Sequence, residues 1–153
     1  MAVFNFYIDG DPQKKVEFEV KRIINGGWAA RNQEQLRKHI EELVHLGVPA
    51  PKETPVFFPL LTDKLSMGPE LEVIGKGNSG EVEFVLLFSK QGLLVGLGSD
   101  HTDRDLEKSS IPKSKLIYPD VIAPHVWRYE DVIKIISHSY KLSVLNWFKG
   151  EVE

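Results

Sequence analysis

A mixed α+β fold is what the sequence predicts, and three features carry that expectation. Runs of alternating apolar and polar residues come in pairs separated by turn residues, and one amphipathic segment has helix start and stop signals at its two ends. No internal repeat, low-complexity tract or linker divides the chain, so residues 1–153 are expected to form a single domain with a few short helices.

The elements follow in order. Residues 3–9 and 15–20 alternate around the turn Gly10-Asp11-Pro12 and predict a β-hairpin with one buried face. Residues 21–30, with Gly26-Gly27, read as a connection. A helix then begins at the cap Asn32, with Gln35 placed as in a capping box, and stops before Gly47, Pro49 and Pro51. Its apolar residues Leu36, Ile40, Leu43 and Val44 recur at helical spacing. The proline-rich run that follows, to Leu61, should be extended and wrap a surface. Residues 70–74 (ELEVI) look like a short strand and Gly75 to Gly80 like a loop. Residues 81–88 and 93–98, joined by Ser89-Lys90-Gln91-Gly92, predict a second hairpin. An acidic loop and an irregular stretch through Pro112, Pro119 and Pro124 come next, before helical periodicity returns from Tyr129 to His138.

Composition removes several classes of function. Hydrophobic residues make up 42% of the chain and charged residues 27%, the range of soluble globular proteins. A net charge of −3 offers no basic footprint for nucleic acid. No apolar run approaches the roughly 18 residues needed to span a bilayer, and Met1-Ala-Val-Phe-Asn-Phe alternates instead of forming a leader. The absence of cysteine excludes disulfides, thiolate metal sites and thiol nucleophiles. A cytoplasmic location is the default expectation.

The second hairpin carries the chemistry. Glu81 and Glu83 are two apart, so their side chains leave the same face of a strand. If Ser89 and Gly92 flank the turn as partners, Glu81 faces Asp100, Glu83 faces Gly98 and Val85 faces Gly96. Opposed residues have Cβ atoms about 5 Å apart, and like charges so placed repel. A hard divalent cation turns that repulsion into attraction, and oxygen ligands suit Mg²⁺, Mn²⁺ or Ca²⁺. Gly96 and Gly98 leave room above such an ion. The alternative is a solvated strand face that happens to be acidic. A three-residue loop in place of the two-residue one would move Asp100 to the other face. Asp103 and Asp105 extend the acidic loop, but the glycine and terminal glutamate of an EF-hand are missing.

These motifs resemble those of the fumarylacetoacetate hydrolase family. Glu81-Val82-Glu83 is similar to its metal-binding Glu-x-Glu strand. Ser99-Asp100-His101-Thr102-Asp103-Arg104-Asp105-Leu106 is similar to its second acidic segment, with Ser99 where asparagine is usual, and Pro112-Lys113-Ser114 with Pro119, Pro124 and Trp127 looks like a later one. The likeness spans roughly residues 28–128. Arg31-Asn32-Gln33 together with residues 98–103 is similar to an uncharacterised microbial branch of that family.

The resemblance implies a mixed β-roll or sandwich like that family's C-terminal domain. It implies Glu81, Glu83 and Asp100 as ligands of Mg²⁺ or Mn²⁺, a His39–Glu42 dyad that activates water, and Lys113 as the group that contacts substrate. Residues three apart on a helix can meet, which suits the dyad; solvated surface roles for His39, Glu42 and Lys113 are the alternative. Arg104 is expected to partner Asp100 or Asp105, and His101 to point to the opposite face. The implied activity is metal-dependent carbon–carbon hydrolysis of an acylpyruvate or β-diketone, or decarboxylation of a keto acid, on a small oxo acid. The other reading is a non-catalytic module that binds a small anion or serves as a subunit. The family's later strands and Gly-Thr-Pro-type turn are lacking, so the resemblance implies either a homodimer whose second subunit supplies the missing wall or a shortened member that has lost activity. Trp147 and Phe148 suit a subunit interface, or equally burial within one chain.

Overall fold

The computed structural model describes residues 2–30 and 32–138. Most of its regular structure is strand, with a few short helices, and the main sheet is open. Strands β1 (Ala2–Ile8) and β2 (Lys15–Val20) form the first hairpin, in register from Ala2 opposite Val20 to Tyr7 opposite Lys15. Asp9 and Gly10 turn it with φ of 58° and 70°, a conformation that aspartate and glycine tolerate.

Residues 21–30 are not a plain connection. They contain β3 (Ile23–Gly27), which pairs antiparallel with β4 (Val56–Leu60) in a separate two-stranded ribbon. The glycines that argued against a strand serve close packing: a Cβ on Gly27 would lie 2.8 Å from the Phe58 ring. Both strands of a ribbon are edges, which accommodates Pro59 within β4.

Helix α1 (Gln33–His45) begins where the sequence predicts. The Asn32 side chain accepts hydrogen bonds from the N–H groups of Glu34 and Gln35, at 3.0 and 3.1 Å. At its other end Gly47 adopts φ of 91°. The N–H groups of Val48 and Gly47 then return to the carbonyls of Leu43 and Val44, closing the last turn.

The expected strand at 70–74 is absent. Tyr118 takes the backbone at the last of those residues: its hydroxyl donates to the Ile74 carbonyl at 2.8 Å and accepts from the Ile74 N–H. A short strand β5 (Leu65–Ser66) lies nearby in sequence. The long hairpin of β6 (Asn78–Ser89) and β7 (Gly92–Asp103) has the register read from the sequence, with Glu81 opposite Asp100 and Glu83 opposite Gly98.

The stretch through the later prolines holds more structure than expected. Two single-turn helices, α2 (Arg104–Glu107) and α3 (Ile111–Ser114), lead into β8 (Asp120–Arg128), which occupies the centre of the sheet. The strand order is β2-β1-β8-β7-β6, with β5 also paired to β8. The register against β7 shifts between Gly96 and Gly98, whose partners are Val126 and Ile122. Pro124 falls in that irregularity, where its missing N–H breaks no regular ladder. The helix expected after Trp127 is α4 (Tyr129–His138), beside β7 and β8.

One face of this sheet divides into two regions. Phe6, Ile8, Val16, Leu87, Leu94, Ile122 and Val126 form the buried apolar cluster, with Val85 packed against it. Farther along the same face come Glu83, Glu81 and Asp100. Gly98 stands between the regions, where a Cβ would meet Val85 Cγ2 at 2.7 Å and the Val121 carbonyl oxygen at 2.8 Å. The carbonyl belongs to a neighbouring strand and cannot rotate away. At Gly96 the tightest contact is 3.2 Å, to a side-chain methyl. Gly98→Ala should therefore cost about 1–3 kcal/mol in urea denaturation, and Gly96→Ala should cost less.

Candidate functional site

The β6–β7 register gathers the three predicted carboxylates. One oxygen from each of Glu81, Glu83 and Asp100 lies within 4.8 Å of the others. Two cations meet the cluster. Arg104 donates to Glu81, to Glu107 at 3.0 Å and to Ser79 Oγ at 2.7 Å, so its partners are Glu81 and Glu107 and not the expected Asp100 or Asp105. Lys115 donates to Asp100, and both side chains are buried. Thr102 Oγ1 also donates to Asp100, at 3.3 Å.

Among the described residues, no cation clasps Glu83. Burial pushes its carboxyl up to about 7, and the charges of Asp100 and Glu81 push the same way while Lys115 opposes them. Asp120, at the start of β8, is also pushed up to about 7. Burial is again the main cause, followed by Asp100 and then Glu83, against Lys115 and a hydrogen bond from the His101 backbone N–H. Its Oδ1 is fully buried and has no hydrogen-bond partner.

These three carboxylates could hold a divalent ion. Oxygen ligands on opposite sides of Mg²⁺ or Ca²⁺ stand about 4–5 Å apart, which is the span of the cluster. The donors are hard carboxylates, and Asp120 contributes an orphaned acceptor electrostatically coupled to Glu83 and Asp100.

A cleft of about 340 Å³ opens onto the two glutamates of the cluster; Glu81, Glu83 and Lys115 line it together with Trp28, Gln35, Leu36 and His39. His39 thus reaches the cleft. Its Nδ1 stands 3.9 Å from Glu42 Oε2, beyond hydrogen-bonding distance, with both side chains mostly exposed. Glu42 is not part of the cleft lining, and neither is Lys113, which is exposed at the end of α3. The lysine that does line the cleft is Lys115, two residues on. Its flanking sequence marks it no more strongly than Lys113.

The neighbouring acids have local roles. Asp103 Oδ1 caps α2 by accepting from the N–H groups of Asp105 and Leu106. Asp105 pairs with Lys108. His101 sits opposite Gly80, and strand alternation places it on the other face from Asp100, as expected; its Nε2 is 2.9 Å from Asn78 Oδ1 and its ring stands edge-on to Tyr118. Trp28 was not foreseen. It adopts φ of 59°, a conformation that costs a bulky side chain roughly 1–3 kcal/mol.

Fold and site together define an open-sheet α+β protein with a carboxylate-rich cleft. The chain belongs to the family described as "Protein of unknown function (DUF2848)", whose model matches residues 26–153. That finding overturns the resemblance to fumarylacetoacetate hydrolases, and the roll or sandwich fold inferred from it lapses as well. The motifs that suggested it have local causes. Glu81 and Glu83 share a strand face, Asp103 caps a helix, and Arg104 holds Glu81. No curated protein and no solved structure matches the chain. Trp147 and Phe148, expected at a subunit interface, lie outside the described residues. No helix among the described residues is long and apolar enough to cross a membrane.

The raised carboxyls set a pH dependence. Between their ordinary values of 4.5 and 3.8 and about 7, Glu83 and Asp120 hold protons in the folded protein that the unfolded chain has released. Their contribution to stability is therefore full at the acid end of that window, falls as pH rises through it, and levels off above it. In EDTA, the Glu83→Gln/Asp120→Asn variant should lose less stability than wild type between pH 5 and pH 7.5, measured as the urea midpoint.

Proposed function

We propose that this protein is a divalent-metal-dependent hydrolase or lyase acting on a small oxo-carboxylate, with Mg²⁺ or Mn²⁺ held by Glu81, Glu83 and Asp100. The observation that carries the reading is the convergence of three carboxylates within 4.8 Å beside a small cleft. Glu83 supports it further, because a carboxylate raised by burial and by its neighbours is one that a cation would relieve.

When bound, the ion supplies Lewis-acid polarisation of a carbonyl oxygen. The remaining chemistry falls to the chain. Lys115 brings a buried positive charge to the cleft, suited to negative charge building on a substrate oxygen. Asp120, titrating near neutrality, can hold or release a proton beside the cluster. His39, which lines the same cleft, can bind or orient a substrate polar group or a water. A cleft of this size lies at the small end of the usual range for ligand sites, which favours a metabolite over a polymer.

One observation favours a second reading. Arg104 and Lys115 already neutralise Glu81 and Asp100, so the cluster could be an ion-pair network in a module that binds a small anion without catalysis. Metal linkage separates the two. Under the first reading, Mn²⁺ or Mg²⁺ raises the melting temperature in a saturable way, and Glu83→Ala weakens that response by roughly 100-fold in metal concentration. Metal-dependent decarboxylation of oxaloacetate or cleavage of an acylpyruvate should fall with the same substitution. A melting temperature indifferent to both ions, with no turnover, would leave the anion-binding module.

A further inference from the structure

Trp28 and Asp9 are the non-glycine residues with positive φ among the described residues. Asp9 belongs to a hairpin turn beside Gly10, where a short polar side chain is at home. Trp28 has no such excuse: an indole gains nothing locally from φ of 59°. The backbone before it is firmly placed, because Gly27 lies so close to the Phe58 ring that a single Cβ would collide with it. That packing holds the end of β3 in position and sustains the strain one residue later.

The strained residue faces something. Its ring is 6.0 Å from that of His39, at 50°, so α1 supports one side of the indole. Trp28 is half-buried, and it lines the same cleft as Glu81, Glu83 and Lys115. The small or apolar Ala30 and Leu36 share the lining with the polar Gln35 and His39. The cleft thus combines an indole with two carboxylates and a lysine, alongside those polar residues; charged groups beside an aromatic ring suit a molecule with a chelating head and a planar tail.

We propose that Trp28 is a substrate-binding residue that selects oxo acids bearing an aryl or extended conjugated substituent, which stacks on the indole while the oxo acid end lies toward the carboxylates. The proposal rests on the oxo-acid reading above. A flat π-system gains more from an indole face than a methyl group does, through both contact area and quadrupole complementarity.

Phenylpyruvate and pyruvate are suitable probes, titrated calorimetrically into the full chain with and without Mn²⁺. Wild type should bind phenylpyruvate about ten-fold more tightly than pyruvate. Trp28→Gly keeps access to the positive-φ backbone and should cut the ratio to about two-fold while leaving Mn²⁺ affinity unchanged. Trp28→Leu, which keeps apolar bulk without a π face, should lower the ratio too, and Trp28→Phe should restore most of it. Equal affinities in wild type, an undiminished ratio in both the Gly and Leu variants, or failure of either acid to bind would overturn the assignment. So would a loss of Mn²⁺ affinity and folding in step with the ratio, since that marks a purely structural tryptophan. Failure of the metal reading looks different: Mn²⁺ would not bind wild type, yet the Trp28-dependent ratio would persist without it.

Discussion

The antiparallel register of β6 against β7 fixes the site. Strand side chains alternate with period two, so a slip of one residue would send Asp100 to the opposite face from Glu81 and Glu83. The turn holds that register. Ser89 Oγ donates to the Gly92 carbonyl at 2.7 Å and accepts from the Gln91 N–H, and Gly92 takes φ of 107°. Twelve residues of β6 then pair with twelve of β7, from Ser89–Gly92 out to Asn78–Asp103. The apolar cluster anchors the near end of this ladder, and the carboxylates occupy the far one.

Placing acids together on a partly buried face is unfavourable unless something opposes the repulsion. Here two helical turns deliver the opposing charge: α2 begins with Arg104, and α3 is followed directly by Lys115. Each cation takes one acid of the cluster, Arg104 holding Glu107 as well, which leaves Glu83 and Asp120 to respond by holding protons. A divalent ion would serve the same electrostatic end with higher charge density. Protons, basic side chains and a metal are thus alternative solutions to one problem of charge, and their competition is the physical content of the proposed activity.

Much of this was legible in the sequence, for identifiable reasons. Asn32 and Gly47 announced α1 because capping chemistry is local, and the Ser89–Gly92 turn announced the β6–β7 register because hairpin geometry is local. What was missed depends on distant partners. β3 was hidden by Gly26-Gly27, and the use of Gly27 appears only when Phe58 packs on it. β8 was hidden by Pro124, tolerable because the strand is irregular there. Residues 70–74 looked like a strand, but the backbone of Ile74, the last of them, pairs with the distant Tyr118 hydroxyl. Lys115 and Lys113 differ in burial and in the partners they reach, which two residues of sequence cannot display. The family resemblance misled for a related reason: acidic strands and aspartate caps are short patterns that arise wherever register and helix starts require them.

The measurement that bears most directly on the account is anomalous scattering from crystals grown with Mn²⁺. The account expects a peak bounded by oxygens of Glu81, Glu83 and Asp100, with Lys115 or Arg104 displaced from at least one carboxylate. Manganese-free density there at saturating ion, with Arg104 still on Glu81 and Lys115 still on Asp100, would contradict it.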